Sequence, residues 1–343
     1  MERPLQPAAS GFRGGALGRF YHHIMVPLDT STDSEHALPF ALTIAELENA
    51  SISLVHVAAP PGLGAAMATA GAEGYVTPAV NQDVIIQTER QVERRLLTIA
   101  GDIEQTSEIR VETTVIEDPD IGHALAEFAE KTSPELIVMT THDRTRLERW
   151  LLGSVAESLV RRIPAPTLLV KAFEERVDLS TRASISHILV PIDGSQLSLA
   201  ILPHVRVMAS LSGARVTLFT VIEPAIIAAP VGIPGAISAT VPSEADANAT
   251  LNGHADELRD MGIAADALVV TDPAPRRAIL DYAREHQVDL IAMSTHGRHG
   301  FARLVAGSVA TQVLHHTGIP VLMYRPEIGS GTRRQAPGAR NSE

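Results

Sequence analysis

Residues 294–309 read STHGRHGFARLVAGSV and follow a short apolar run, residues 290–293, bounded like a buried strand. The stretch opens on a small-residue turn with Ser294, Gly297 and Gly300. It passes through a basic loop with Arg298, His299 and Arg303, and Gly307 and Ser308 come after it. Leu304, Val305 and Val309 fall at helical spacing. Glycine lets backbone N–H groups approach a ligand because no Cβ intervenes. Consecutive N–H groups at a loop and a helix N-terminus form an anion site. A serine at the start of a helix can cap it or bond a phosphate oxygen. The stretch reads as a phosphate-binding loop.

The same design occurs earlier. Residues 140–155 read TTHDRTRLERWLLGSV, so both copies keep Thr-His, a gap, and then Gly-Ser-Val, as Gly153-Ser154-Val155 and Gly307-Ser308-Val309. His142 and His296 share one motif position, and an orienting role at the turn is expected of them, because no nucleophile or acid stands at matched spacing. The repetition extends over the chain. HIMVPLD at residues 23–29 returns as HILVPID at residues 187–193, 164 positions on from His23 to His187, whereas Gly153 and Gly307 lie 154 apart. The first copy is therefore longer by about ten residues, placed in the loop after its second strand.

Each copy alternates short apolar runs with helical patterns. Strands are expected at residues 23–29, 51–57, 111–116, 136–139 and 167–170, and again at 187–193, 216–221, 267–270, 290–293 and 321–324. Residues 84–99 and 121–130 carry helical patterns between them. Continuously apolar strands alternating with helices indicate a parallel sheet covered on both faces, and right-handed crossovers then give a doubly wound fold. The expectation is an α/β protein of two tandem doubly wound domains, about five strands each, over residues 21–171 and 186–326. Residues 172–185 read as a linker, 1–20 and 327–343 as disordered tails, and 60–82 and 223–242 as long mobile loops.

Composition narrows the function. The chain has 343 residues, enough for two cores, and a formal net charge of −12, which argues against a nucleic-acid binder. It has no cysteine, so thiolate catalysis, disulfides and Cys-based zinc sites are excluded, in keeping with a cytoplasmic protein. No stretch reads as a membrane span. The dinucleotide fingerprint GxGxxG follows neither first strand, and GxxxxGK[ST] is absent, so NAD, FAD and Walker-type ATPases are poorly supported. Ile121-Gly122-His123 is similar to part of an adenylate-transfer signature but precedes the wrong helix and lacks a second motif. Asp29 and Asp193 end the first strand of each copy, where open α/β sheets bind ligands. A carboxylate there can hold a ribose hydroxyl or cap the following helix; the two readings are compatible.

On these residues the chain resembles a tandem universal stress protein, two family domains in one polypeptide. Nucleotide-binding members carry glycine, two residues, glycine, nine residues, glycine, then serine or threonine. Gly297, nine residues and Gly307-Ser308 match; Ser294 takes the place of the first glycine, and Gly300 is an extra one. The resemblance implies that Asp193, preceded by Pro191 and Ile192, holds the nucleoside end, that the backbone at Val221 borders adenine, and that the loop from Ser294 through His296, Gly297, Arg298, Gly307, Ser308 and Val309 takes the phosphates. In the first copy the corresponding residues are Asp29, Val57, Thr140, His142, Gly153, Ser154 and Val155, with Thr140 and Asp143 replacing both loop glycines. A carboxylate 4 Å from a phosphate repels it by about 4 kcal/mol at an effective dielectric near 20. Arg144, Arg146 and Arg149, or a bridging Mg2+, could offset that. The resemblance implies ATP as cofactor, with the second domain the better site, slow hydrolysis at most, a stress-response role with an unidentified protein partner, and homodimers joined through the last strand. Two other classes stay open: a nucleotide-free adaptor module of the same fold, and an ATP-dependent enzyme, for which no second-substrate site is found.

Overall fold

The computed structural model describes residues 20–29, 31–58, 82–141, 153–172, 177–224, 243–295 and 308–326. The first repeat supplies strands β1 (His23–Pro27), β2 (Ser51–Ala58), β3 (Val111–Glu117), β4 (Leu136–Thr141) and β5 (Thr167–Lys171). The second supplies β6 (His187–Pro191), β7 (Arg215–Ile222), β8 (Ala265–Thr271), β9 (Leu290–Ser294) and β10 (Val321–Tyr324). The helices are α1 (Leu38–Glu48), α2 (Gln82–Thr106), α3 (Ile121–Thr132) and α4 (Ser154–Arg162), matched by α5 (Leu202–Ser212), α6 (Glu244–Asp260), α7 (Pro275–Glu285) and α8 (Ser308–His316). A 3-10 turn, Thr32–Ala37, precedes α1, and a short helical turn, Gln196–Leu199, precedes α5.

All strands join one ten-stranded sheet in the order β3-β2-β1-β4-β5-β10-β9-β6-β7-β8. Each half is parallel, as the apolar runs require. Within β1, Ile24 and Val26 point to one core and Met25 to the other, so period-two alternation is hidden by burial on both faces. One core lies under α1, α2, α5 and α6, the other under α3, α4, α7 and α8, and each runs through both repeats. The structure is therefore three layers, with helices on both faces. Among the described residues no helix is long and apolar enough to cross a membrane.

The repeats meet at β5 and β10, which pair antiparallel with Leu168 opposite Leu322. These are the segments through which the family resemblance implies pairing, and here they take each other within one chain. A second copy has no access to that seam without opening it. Residues 177–185, expected as a plain linker, lie along α1. Arg182 donates to Glu46 through Nε at 2.8 Å, and Thr43 Oγ1 donates to the Ala183 carbonyl at 3.2 Å. Glu46 also raises the Arg182 pKa through this hydrogen bond. The strap so formed fixes where β6 begins.

Helix ends follow sequence chemistry. Pro39 and Pro203 stand in the first turns of α1 and α5, where the missing N–H costs nothing. Asn49 and Gly213 end these helices in the left-handed region, at φ 50° and 70°. The sequence pattern shortened α2, expected over 84–99, because its last turns are less periodic. Gly122, in the first turn of α3, faces α4: a Cβ there would stand 3.0 Å from the Ser158 Cβ. The glycine serves close helix packing, which accounts for it without adenylate transfer.

Two predictions follow from this packing. Gly122→Leu should overfill the α3–α4 contact and cost about 1–3 kcal/mol in chemical denaturation, with Ser158→Gly in the same chain restoring part of it. Because both cores cross the seam, urea should unfold the chain in one transition by tryptophan-independent circular dichroism; two separated transitions would mean the repeats fold independently.

Candidate functional site

The sheet order places the candidate sites. In each half the chain leaves the first strand in one direction and the fourth in the other, so β1 and β4, and likewise β6 and β9, flank a switch point. Ligands of open α/β sheets bind beyond the carboxyl ends of such strands. Ile188 pairs with Leu290 and Pro191 with Phe219. Continuing that register sets Asp193 level with Val221 on one side and Thr295 on the other. In the first repeat the pairs Ile24–Leu136 and Pro27–Val55 set Asp29 level with Val57 and Thr141. The acid and the strand-end residue predicted from sequence thus come together at one edge in each half.

Both acids shape the turn that follows them. Asp193 Oδ1 accepts from the Ser195 N–H at 2.9 Å, and Asp29 Oδ1 accepts from the Ser31 N–H at 2.7 Å. The helix caps are the serines: Ser195 Oγ accepts from Ser198 N–H at 3.1 Å and Ser31 Oγ from Ser34 N–H at 3.4 Å. The capping alternative for the aspartates therefore falls to the residue two places on. Gly194 lies between acid and cap at φ 76°, a conformation glycine enters without steric cost. Both carboxylates are exposed. Pro191 and Ile192, before Asp193, are buried, and Ile192 N–H donates to the Phe219 carbonyl at 2.8 Å.

A second layer holds this turn, and sequence reading missed it. Thr220 Oγ1 donates to the Ile192 carbonyl at 2.8 Å, and His56 Nδ1 bonds the Leu28 carbonyl at 2.9 Å. His56 and Thr220 occupy the same position of the second strand in the two repeats. Each ties down the carbonyl just before the aspartate. The available signal was a polar residue at a matched place near the end of both second strands, His56 in SISLVHVA and Thr220 in RVTLFTVI. The ends of the third strands carry a similar repeated device: Asp118 and Asp272 each accept, at 2.7 Å, from the N–H two residues on. That backbone bond, and then Arg277, hold the Asp272 carboxyl below its ordinary range.

The phosphate loops fall largely outside the described residues. His142, Asp143, Arg144, Arg146 and Arg149 lie there in the first repeat, as do His296, Gly297, Arg298, His299, Gly300, Arg303 and Gly307 in the second. Their flanks are described. Thr140 is buried at the end of β4. Gly153 is the N-cap of α4 with no side-chain capping bond, and Ser154 starts the helix exposed, followed by half-buried Val155. The first amides of α4 thus receive no side-chain acceptor from the cap, the state an anion would satisfy. α8 starts at the matched Ser308, with Val309 half-buried behind it. Ser294 ends β9 with its Oγ buried and without a hydrogen-bond partner. By strand alternation with Ala292 it is turned toward the α5 side of the sheet. Its hydroxyl is enclosed there, leaving the backbone as the part of Ser294 available at the strand end.

Known proteins place the chain. The model of the universal stress protein family matches it twice, over residues 20–171 and 184–325. A universal stress protein of Mycobacterium tuberculosis, Rv2005c, is 27% identical over 311 residues, covering 90% of this chain and 98% of that one. The universal stress protein MJ0531 of Methanocaldococcus jannaschii is 30% identical over 152 residues, 44% of this chain and 82% of its own. Among solved structures, a universal stress protein from Archaeoglobus fulgidus superposes with a TM-score of 0.64 at 17% identity, over 88% of this chain and 98% of that one. With a family match on each repeat and a relative that spans both, the chain belongs to the universal stress protein family in its tandem form.

Proposed function

We propose that the chain is an adenine-nucleotide-binding regulator of the stress response, with the second repeat as its nucleotide site. The observation that carries this reading is the register of β6, β7 and β9, which sets Asp193 level with Val221 and with Thr295, the last described residue before the glycine loop. In this reading Asp193 takes the ribose hydroxyls, the Val221 backbone borders the base, and the amides around Gly307 and Ser308 take the phosphates. Among the described residues no group of three or more His, Asp or Glu side chains could hold a metal ion. A Mg2+ ion would therefore arrive on the phosphates of ATP.

The first repeat is the weaker candidate, because Thr140 and Asp143 stand where the nucleotide-binding pattern has glycine. The adaptor reading fits this repeat better: a fold kept for protein contacts, without nucleotide. Among the described residues no group at either switch point is arranged as a nucleophile with a base, and hydrolysis is at most slow in this account. We place its action in the cytoplasm. Any homodimer would use a surface other than the β5–β10 seam.

Nucleotide released by denaturing the purified protein, identified by chromatography and mass, tests this reading. About one ATP per chain is expected, lost on Gly307→Ala and Asp193→Ala and kept on Gly153→Ala. Thr220→Val should weaken ATP binding several-fold by loosening the Asp193 turn, and Thr220→Ser should restore it. A protein that neither carries nucleotide nor binds added Mg-ATP would contradict the proposal and leave the adaptor.

A further inference from the structure

The two repeats are built alike, so each position at their junction has a counterpart that serves as a control. His204 lies in the first turn of α5 and is 8% exposed. Its ring touches residues from both repeats. The Tyr21 hydroxyl, just before β1, bonds Nδ1 at 3.3 Å, and the two rings lie parallel at 6.4 Å. Phe20 meets the imidazole edge-on at 5.4 Å, and Tyr324 of β10 lies 4.4 Å away. The 164-residue offset relating β1 to β6 carries His204 onto Phe40 and Tyr21 onto Ile185; the 154-residue offset of the last strands carries Tyr324 onto Val170. The matching positions on the other side of the junction are thus all apolar: Phe40, Ile185 and Val170 belong to or pack on the same core.

Among the described residues no carboxylate pairs with His204. Glu48, at the end of α1, accepts from the Phe20 N–H at 3.1 Å and bears on Tyr21. Burial first, and then Glu48, push the Tyr21 phenol above its usual range, so it stays neutral beside Nδ1. Glu46 of α1 is engaged by Arg182. On α5 itself Arg206 is turned to Met261. His187 and Arg215, from the strands under α5, bond the His286 carbonyl on the opposite face. Burial alone lowers the His204 pKa to about 4.

We infer that His204 makes the junction between the repeats acid-sensitive: a proton on this buried ring, which stands against Phe20, Tyr21 and Tyr324, loosens α5 from the segment that enters β1. The folded chain holds His204 neutral while the unfolded chain takes up the proton near pH 6.5. Stability is therefore fully present above that pH and is lost as pH falls toward the folded-state value. The counterpart with Phe40 has no such dependence, so acid would act on one side of the junction only. The inference stands apart from nucleotide binding.

The test compares the full chain with His204→Phe, which copies the first repeat. Between pH 7 and pH 5 the unfolding constant of the wild type should rise about twenty-fold more than that of the variant, all other titrating groups being shared. In hydrogen exchange corrected for intrinsic rate, residues 202–212 and 20–21 should lose protection at pH 5 in the wild type and keep it in the variant. Parallel pH dependences would overturn the inference. Should His204→Phe fail to fold, NMR titration of the wild-type imidazole decides: a midpoint below pH 5 supports the inference, and one at pH 6 or above overturns it.

Discussion

Burial of both faces of a single sheet is the constraint on which the rest of this structure depends. Ten strands share two continuous cores because β5 and β10 close antiparallel, Leu168 against Leu322, with both leucines inaccessible. Had each repeat kept its fifth strand as an edge, a row of backbone donors and acceptors would stand open beside an apolar face. Pairing the last strands removes that edge in both repeats at once. Because that pairing is antiparallel and each half is parallel, the two switch points, and so both candidate nucleotide sites, open toward opposite ends of the sheet. Tandem duplication in one chain thus makes a pseudo-dimer whose halves can diverge in sequence while sharing one fold.

That divergence is where the physical interest lies. The scaffold of the two sites is alike: an aspartate accepting from the amide two residues on, a serine capping the next turn, and a polar strand residue holding the carbonyl before the acid. The chemistry that fills the scaffold differs. Thr220 serves in one repeat and His56 in the other. Of the three motif glycines the second repeat keeps two, Gly297 and Gly307, with Ser294 at the first place, whereas the first repeat keeps only Gly153 and has Thr140 and Asp143 at the other two. A carboxylate among phosphate-facing amides is costly, whereas glycine there is not. The same logic applies at the junction, where a hydroxyl–imidazole contact on one side faces an apolar one on the other. Copies that began alike have been left free to specialise because the sheet, not the site, supplies the stability.

Much of this was legible in the sequence. HIMVPLD and HILVPID located both first strands, since continuous apolar runs ending in an acid have few other readings, but the strands close at Pro27 and Pro191, two residues before the acids expected to end them. The spacing of the two Gly-Ser-Val motifs located the fourth strands and the helices after them. Strand ends were read one to two residues short, as in β4 and β9, because Thr140, Thr141 and Ser294 look like loop residues while pairing as strand. His56 and Thr220 were not read, because one polar residue among several in a half-apolar strand has no local signature and gains meaning only when the register is known. The strap around Arg182 was hidden for a related reason: its polarity resembles a linker, and only tertiary contact with Glu46 orders it.

The central claim is that one switch point, the second, takes adenine nucleotide. Hydrogen exchange of the whole chain with and without Mg-ATP tests it most directly. The account predicts new protection at residues 192–195 and at the start of α8, with the matching residues of the first repeat, 28–31 and the start of α4, unchanged. Protection confined to the first repeat, or none in either, would contradict it.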